Sequence, residues 1–323
     1  MSTLQVPVSW IRLRRSLSRE HIRRVFTLAR IRRGLGRLSF LLPAVLLIAL
    51  FIAYPIYATL ILSFFPAGGG EMTLDNYATV LTHRDTLNSA NIPGSPPWGT
   101  LIHNGIWVAI HLPLTMFTGL ALAIILRGVR GASIVKSVVF VGMVTPMIVG
   151  GFILRFLYTQ DVGIVPTFFQ LIGVEGLATS WLARPATLLF GLIFGSVWMW
   201  MGFSLIIYSA GLTTIPREYF EAAKIDGASS WRTFTRITFP LLKPMTLVIV
   251  TMTVLWELKI FDIVIGATNP SGGVGGAADV LALQMFRYGF IDLAFERAAV
   301  VATVLTGLTL VALVFLVRRL VSR

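Results

Sequence analysis

Apolar positions in this chain gather into long uncharged runs separated by shorter polar segments. Five runs are unbroken: Phe40 to Phe65, Leu101 to Leu126, Ser137 to Leu154, Ala186 to Ile215 and Ala298 to Val317. As helices rising about 1.5 Å per residue, they match the ~30 Å hydrocarbon core of a bilayer. A sixth run starts near Pro244, stays apolar to Trp256, is interrupted by ELKIFD and resumes through Ile263, Val264 and Ile265. The pattern predicts six membrane-spanning helices. Pro43, Pro55, Pro113 and Pro146 fall inside these runs and are expected to kink or locally open their helices.

The stretch between the fourth and sixth runs differs in kind. Pro216 suits a first helical turn, REYFEAAKI continues with good helix formers, and Gly227 breaks the run. Ser229 or Ser230 then caps a second helix through TFTRITF, expected to end at Pro240. In it Trp231, Phe234, Ile237 or Thr238, and Leu241 recur at helical spacing, which predicts one apolar stripe. The reading is a helix-turn-helix over 216–240, lying along the membrane surface.

Composition turns the pattern into a class. Of 323 residues, 56% are hydrophobic and 13% charged, and the mean hydropathy is +0.82, so this is a membrane protein. Charge then sets an orientation, because Lys and Arg of short loops stay on the cytoplasmic side. Residues 1–38 form a basic segment with ten arginines against one acid, Glu20. Arg127, Arg130 and Lys136 follow the second run, and Arg318, Arg319 and Arg323 the last. The alternate loops, 66–100 and 158–185, carry Glu71, Asp75, Asp85, Asp161 and Glu175 against Arg84 and Arg184. Both termini are therefore expected in the cytoplasm, with 39–323 forming one six-span domain.

Several readings are set aside. The N-terminal arginines directly precede a span, so inside retention and anionic lipid explain them better than nucleic acid. A cleaved signal peptide is not expected, because the charged region is too long and no small-residue cleavage site follows. Without cysteine there is no disulfide or thiolate site. The segment GATNPSGGVGGAA, 266–278, lacks the Gly-Lys-Ser/Thr ending of a phosphate loop and reads as a flexible outer connection. No internal repeat, zinc-ligand spacing, nucleophile elbow or clustered carboxylate pair is present, so no enzymatic activity and no cofactor bound by this chain are expected. His103 and His111 read as helix-packing polar groups rather than metal ligands.

The run EAAKIDGASSWRTFTRITFPLLKP resembles the cytoplasmic coupling motif of permease subunits from binding-protein-dependent ABC importers. Glu221, Ala222, Ala223, Asp226, Gly227, Ala228, Phe234, Ile237, Pro240 and Pro244 stand where that motif requires. The stretch GLTTIPREYFEAA, together with Phe261, Asp262, Thr268 and Gly272-Gly273, is similar to the maltose-type carbohydrate branch, although TNPSGG departs from its usual compact turn. The resemblance covers roughly residues 38–320. It implies an all-α fold of the type I importer permease class, and docking of the 221–228 motif in a cleft of a cytoplasmic ABC ATPase dimer that holds the ATP and magnesium. Glu221 would be a salt-bridge partner for an ATPase arginine and Gly227 the hinge. It also implies a second permease subunit, an extracytoplasmic solute-binding protein and a sugar substrate.

Depth along the helices nominates the solute contacts. Counting ~1.5 Å per residue from the membrane faces, Ser196 and Trp200 lie ~15 and ~21 Å deep, and Trp256 and Glu257 ~18 and ~20 Å deep. Aromatic faces suit the C–H face of a sugar ring, and Glu257, Lys259 or Asp262 suit its hydroxyls, since intramembrane charges are functional suspects. Against this, Lys259 and Asp262 are spaced to pair with each other, and Arg155 to pair with an acid of the run from Pro244 or to snorkel. Glycerol-phosphate or polyol permeases share the same signatures. An ion-coupled secondary transporter would use Glu257 but leave EAAKIDGA without a role.

Overall fold

The computed structural model describes residues 40–321, with side chains placed to Arg319. The basic segment 1–38 and Arg323 lie outside the described residues. The chain divides into two compact units, the first ending at Thr59 and the second running from Leu60. Helix α1, Phe40–Leu62, contains a single wide turn at Ala49–Ala53 closed by the Tyr54 amide on the Ala49 carbonyl. That turn directly precedes Pro55, which has no N–H to continue the ordinary ladder, and a wide turn absorbs the loss.

Four helices are long and apolar enough to cross a membrane: α1, α3 (Thr100–Ile125), α7 (Pro185–Thr213) and the last, over Phe295–Arg319. Two bent pairs complete the set of six if each is one span. In the first, Ala132–Val144 (α4) and Met147–Leu157 (α5) meet at 102°. In the second, Ser230–Leu241 (α9) and Lys243–Glu257 (α10) meet at 63°. Shorter helices fill the connections: α2 (Asp75–Thr82), α6 (Ile164–Leu171), α8 (Arg217–Ile225), α11 (Asp262–Thr268) and α12 (Leu281–Phe286), before α13 (Phe295–Val321).

Breaks fall at Pro146 and ELKIFD, where they are expected, whereas Pro113 leaves its helix intact. The run Ser137–Leu154 is not one straight span: Thr145 leaves the helix with ψ 127°, the extended geometry proline favours in the residue before it, and Pro146 restarts it as α5. By contrast Pro113 sits inside α3, which continues unbroken around it. The sixth run breaks where ELKIFD interrupts it, so α10 stops at Glu257 and α11 begins at Asp262.

Three clusters of buried side chains hold the second unit together. One, around Leu188, Leu192, Met199 and Ile263, joins α7 to α5 and α11. A second, around Leu120, Leu205, Leu212 and Leu242, joins the ends of α3 and α7 to the helix-turn-helix. The third, around Leu281, Val300 and Val301, seats α12 and Val80 on α13. Helices α5 and α11 approach backbone to backbone: a Cβ on Gly266 would stand 2.4 Å from the Ile148 carbonyl oxygen, and one on Gly151 2.5 Å from that of Ile263. Only glycine permits that contact.

The glycine-rich segment is also more ordered than its composition suggests. Residues 266–268 finish α11, and Ala277, Ala278 and Val280 are fully buried. It is a packed turn rather than a flexible connection.

Candidate functional site

The helix-turn-helix forms where the sequence places it. Pro216 precedes α8, Glu218 lies in its first turn near the positive helix end, and Lys224 in its last. The helix closes with the paired bonds of a glycine stop: the Ala228 amide donates to the Ala223 carbonyl (2.9 Å) and the Gly227 amide to that of Lys224 (3.1 Å). Gly227 has φ +66°, the left-handed geometry this stop needs. Of the two candidate caps it is Ser229 that serves, its Oγ accepting from the Arg232 amide (3.3 Å).

Helix α8 has two unlike faces. Ala223 is buried and Phe220 packs on the second core cluster, while Glu221, Ala222, Asp226 and Gly227 are exposed and Ala228 is half-buried. The small side chain of Ala223 lets α8 lie close to the bundle. Ile225 projects outward, 87% exposed, roughly 140° around the helix from Phe220. Sequence reasoning missed it, although its position off the Phe220–Ala223 stripe is the available signal.

The stripe expected on α9 is only partly formed. Phe234 and Thr238 turn inward, but Trp231 is 72% exposed and Leu241 is exposed as well. The turn Phe234–Thr238 is widened by one residue ahead of Pro240, so positions on either side no longer share a face. Helix α9 also runs through Pro240 to Leu241 rather than ending at it.

A second constellation lies between α3, α7 and α10. The rings of Trp200 and Trp256 sit 4.3 Å apart, Phe203 meets Trp256 at 5.1 Å, and His111 stands edge-on to Trp200 at 6.3 Å. A cavity of about 180 Å³ is lined by Met147, Trp200, Trp256, Lys259 and Asp262, among others. Four of the six solute candidates, Trp200, Trp256, Lys259 and Asp262, thus meet at one opening. Ser196 and Glu257 do not line it. The Ser196 hydroxyl is buried and donates to the Ile193 carbonyl of its own helix (2.9 Å).

Glu257 and His111 are both fully buried, with Oε1 and Nδ1 2.6 Å apart. His111 therefore has a carboxylate partner that the sequence order concealed. Glu257 Oε2, His111 Nε2 and the indole nitrogens of Trp107 and Trp200 have no partner among the described residues. Just above, the Asn104 amide donates to the Glu257 and Leu258 carbonyls (3.3 and 3.2 Å), and its oxygen accepts from the Leu281 amide (2.8 Å). One side chain thereby satisfies the orphan end of α10 and the start of α12, which a helix broken at membrane depth requires. Lys259 and Asp262 are not on one helix, because α10 ends at Glu257, and they form no ion pair among the described residues. Arg155 is exposed and likewise makes none there.

A polar network ties the loop before α3 to the turn before α12. The Trp98 amide donates to His103 Nε2 (3.0 Å), so Nδ1 carries the proton and donates to the Asp279 carbonyl (2.8 Å). Gln284 accepts from Thr100 (2.7 Å) and donates to Thr86 (2.8 Å). Arg287 pairs with the buried Asp279 carboxylate at 2.6 Å and with Asp85 at 3.6 Å. Burial raises the Asp279 carboxyl to about 6 against the opposing pull of Arg287.

Apolar spanning helices, two of them broken, with a surface hairpin at one end and a buried polar cluster between them, define a multi-pass membrane permease. The chain belongs to the family of the binding-protein-dependent transport system inner membrane component, whose model matches residues 115–323. It is 52% identical over 291 residues to a probable ABC transporter permease protein of Pyrococcus horikoshii, covering 89% of this chain and 99% of that one. It is 30% identical over 270 residues to a lactose transport system permease of Rhizobium radiobacter, covering 82% and 87% of the two chains. Its fold is similar to that of a chain from a bacterial ABC transporter involved in the import of the acidic polysaccharide alginate. That match has a TM-score of 0.72 and 20% identity, covering 90% of this chain and 96% of the other. The resemblance read from residues 221–244 and the family match agree.

Proposed function

We propose that the chain is the permease subunit of an ATP-driven importer that carries a disaccharide or oligosaccharide across the cytoplasmic membrane by alternating access. The observation that carries this reading is the two-faced α8, seated by Ala223 and Phe220 while Glu221, Ala222, Ile225 and Asp226 face outward. Such a helix fits a cleft of a cytoplasmic ATPase dimer, where ATP and magnesium are held and hydrolysed.

Connectivity supplies the coupling. Helix α8 follows α7, which carries Trp200, and α9 bends directly into α10, which carries Trp256. Both walls of the mid-span cavity are therefore joined to the hairpin through short, packed connections. When two ATPase subunits close, displacement of the hairpin shifts the walls relative to each other and turns the cavity from inside to outside. Trp200 and Trp256 offer aromatic faces to a sugar ring, and Lys259 and Asp262 offer partners for its hydroxyls. Ser196 and Glu257 support that wall from behind.

The basic segments support a cytoplasmic position for the hairpin and both termini. Loops 66–100 and 158–185 then face the solute-binding protein, and a second, paralogous permease subunit completes the pathway. The lactose and alginate functions of the relatives support a carbohydrate cargo over a glycerol-phosphate or a polyol. The buried Glu257–His111 pair favours one rival, a proton-coupled secondary transporter.

Uptake of labelled disaccharides into proteoliposomes separates these readings. With the ATPase, partner permease and binding protein present, uptake requires ATP and survives a proton uncoupler. Uptake driven by a pH gradient without ATP would overturn the proposal.

A further inference from the structure

Between α8 and the start of α9, with Phe220, Lys224 and Ala228 in its lining, lies a cavity of about 260 Å³. It opens where α3 and α7 end, between Ile124 and Leu212 of the spans and the first turn of α9. Arg127 and Lys224 line it, and no carboxylate does. Neither cation forms an ion pair among the described residues, and Arg127 is held in place by stacking over the Phe220 ring at 4.3 Å.

Hydroxyls complete the lining. Ser230 and Thr233 come from the positively polarised first turn of α9. Thr238 is 6% exposed and its side chain contributes to the lining. Two unpaired cations, the hydroxyl side chains of Ser230, Thr233 and Thr238 and an apolar wall of Ile124, Leu212 and Phe234 describe a receptor for an oxyanion attached to something greasy. The volume lies below the roughly 300–1,000 Å³ of sites that enclose a whole small ligand. It suits a group projecting from a larger body, and the ends of two spanning helices put it at the level of the lipid headgroups.

We infer that this cavity binds the phosphate of an anionic phospholipid headgroup, with Arg127 and Lys224 on the phosphate oxygens, Thr238 donating to one of them and Ile124 against the glycerol end. Basic pockets between spanning helices are a recurrent form of headgroup site. The inference requires that the chain spans a membrane and is independent of the ATPase and sugar assignments. It places a lipid at the joint between the hairpin and the spans, where occupancy would stiffen their connection.

The test is thermal unfolding of the purified full chain in a neutral detergent, titrated separately with phosphatidylglycerol, phosphatidylcholine and inorganic phosphate. Phosphatidylglycerol alone should raise the midpoint. In the double variant R127Q/K224Q its half-saturating concentration should rise roughly 30-fold, about fivefold per cation, while R127K keeps most of the response. R130Q/R318Q removes equal charge from exposed positions outside the cavity and should respond like the parent. Equal losses in both double variants would show diffuse surface attraction and overturn the site. Equal protection by inorganic phosphate would replace the lipid with a soluble anion. Native mass spectrometry of the unaltered chain, which no folding defect can confound, should show phosphatidylglycerol retained over phosphatidylcholine from an equimolar mixture. Equal retention would also overturn the inference.

Discussion

Glu257 shows how much a single position can hide. As the lone acid near the end of an apolar run it was legible as exceptional, yet its partner His111 stands 146 residues away and on another helix. Nothing in the order of residues pairs α3 with α10, so a residue nominated to touch solute proves to be bonded inside the protein. Glu257→Ala should therefore lower stability in detergent by about 1–3 kcal/mol, because it strands a buried imidazole. The double variant His111→Phe/Glu257→Leu, which removes both polar groups, should lose less than the single one; a larger loss in denaturant titration would contradict the pairing. Asp279, in the turn between α11 and α12, carries a pH dependence. Its carboxyl rises from 3.8 to about 6 in the folded chain, which therefore holds the proton more tightly than the unfolded chain does. The resulting stabilisation is complete below pH 3.8 and is lost as pH rises through 6. Between pH 4 and 7 the stability of the wild type relative to Asp279→Asn should fall by roughly 2 kcal/mol. An advantage that grows with pH would refute that sign.

The helices were legible where local chemistry decides them and obscure where packing does. Four long runs, the Pro216 start, the Gly227 stop and the serine cap were all readable, because proline, glycine and hydroxyl side chains act on their own backbone. The 102° break between α4 and α5 was signalled by Pro146, but Pro113 gave the same signal and α3 passes it unbroken. Only the surrounding helices decide which proline breaks a span. The apolar stripe of α9 failed for a related reason, since one widened turn shifts every later side chain. At Gly227 the reading is sharp enough to test. A Cβ there would meet nothing within 4 Å, so Gly227→Ala costs only the left-handed backbone, about 1 kcal/mol. Hydrogen exchange of the Gly227 and Ala228 amides, which close α8, should quicken roughly fivefold in that variant. Unchanged exchange would mean that the turn does not depend on φ +66°.

Across the whole molecule, the hairpin and the mid-span cavity belong to one connected body. Helices α7 and α10 each contribute a tryptophan to the cavity, and both lead into the hairpin at the same end of the bundle. The two faces of α8 differ: the inner one, with Phe220 and Ala223, grips the spans, and the outer one, with Glu221, Ala222, Ile225 and Asp226, is exposed. The motif was readable because its charges and small residues stand out where a plain membrane connection needs neither. The cavity was less so, since its lining comes from four segments brought together by breaks in two spans. If the outer face of α8 transmits the work of ATP hydrolysis, reversing its charge must uncouple the transporter. Solute-stimulated ATP hydrolysis by the reconstituted importer should fall in Glu221→Ala and be abolished in Glu221→Lys, with the ATPase's unstimulated rate preserved. Full stimulation in both variants would contradict the assignment of this face.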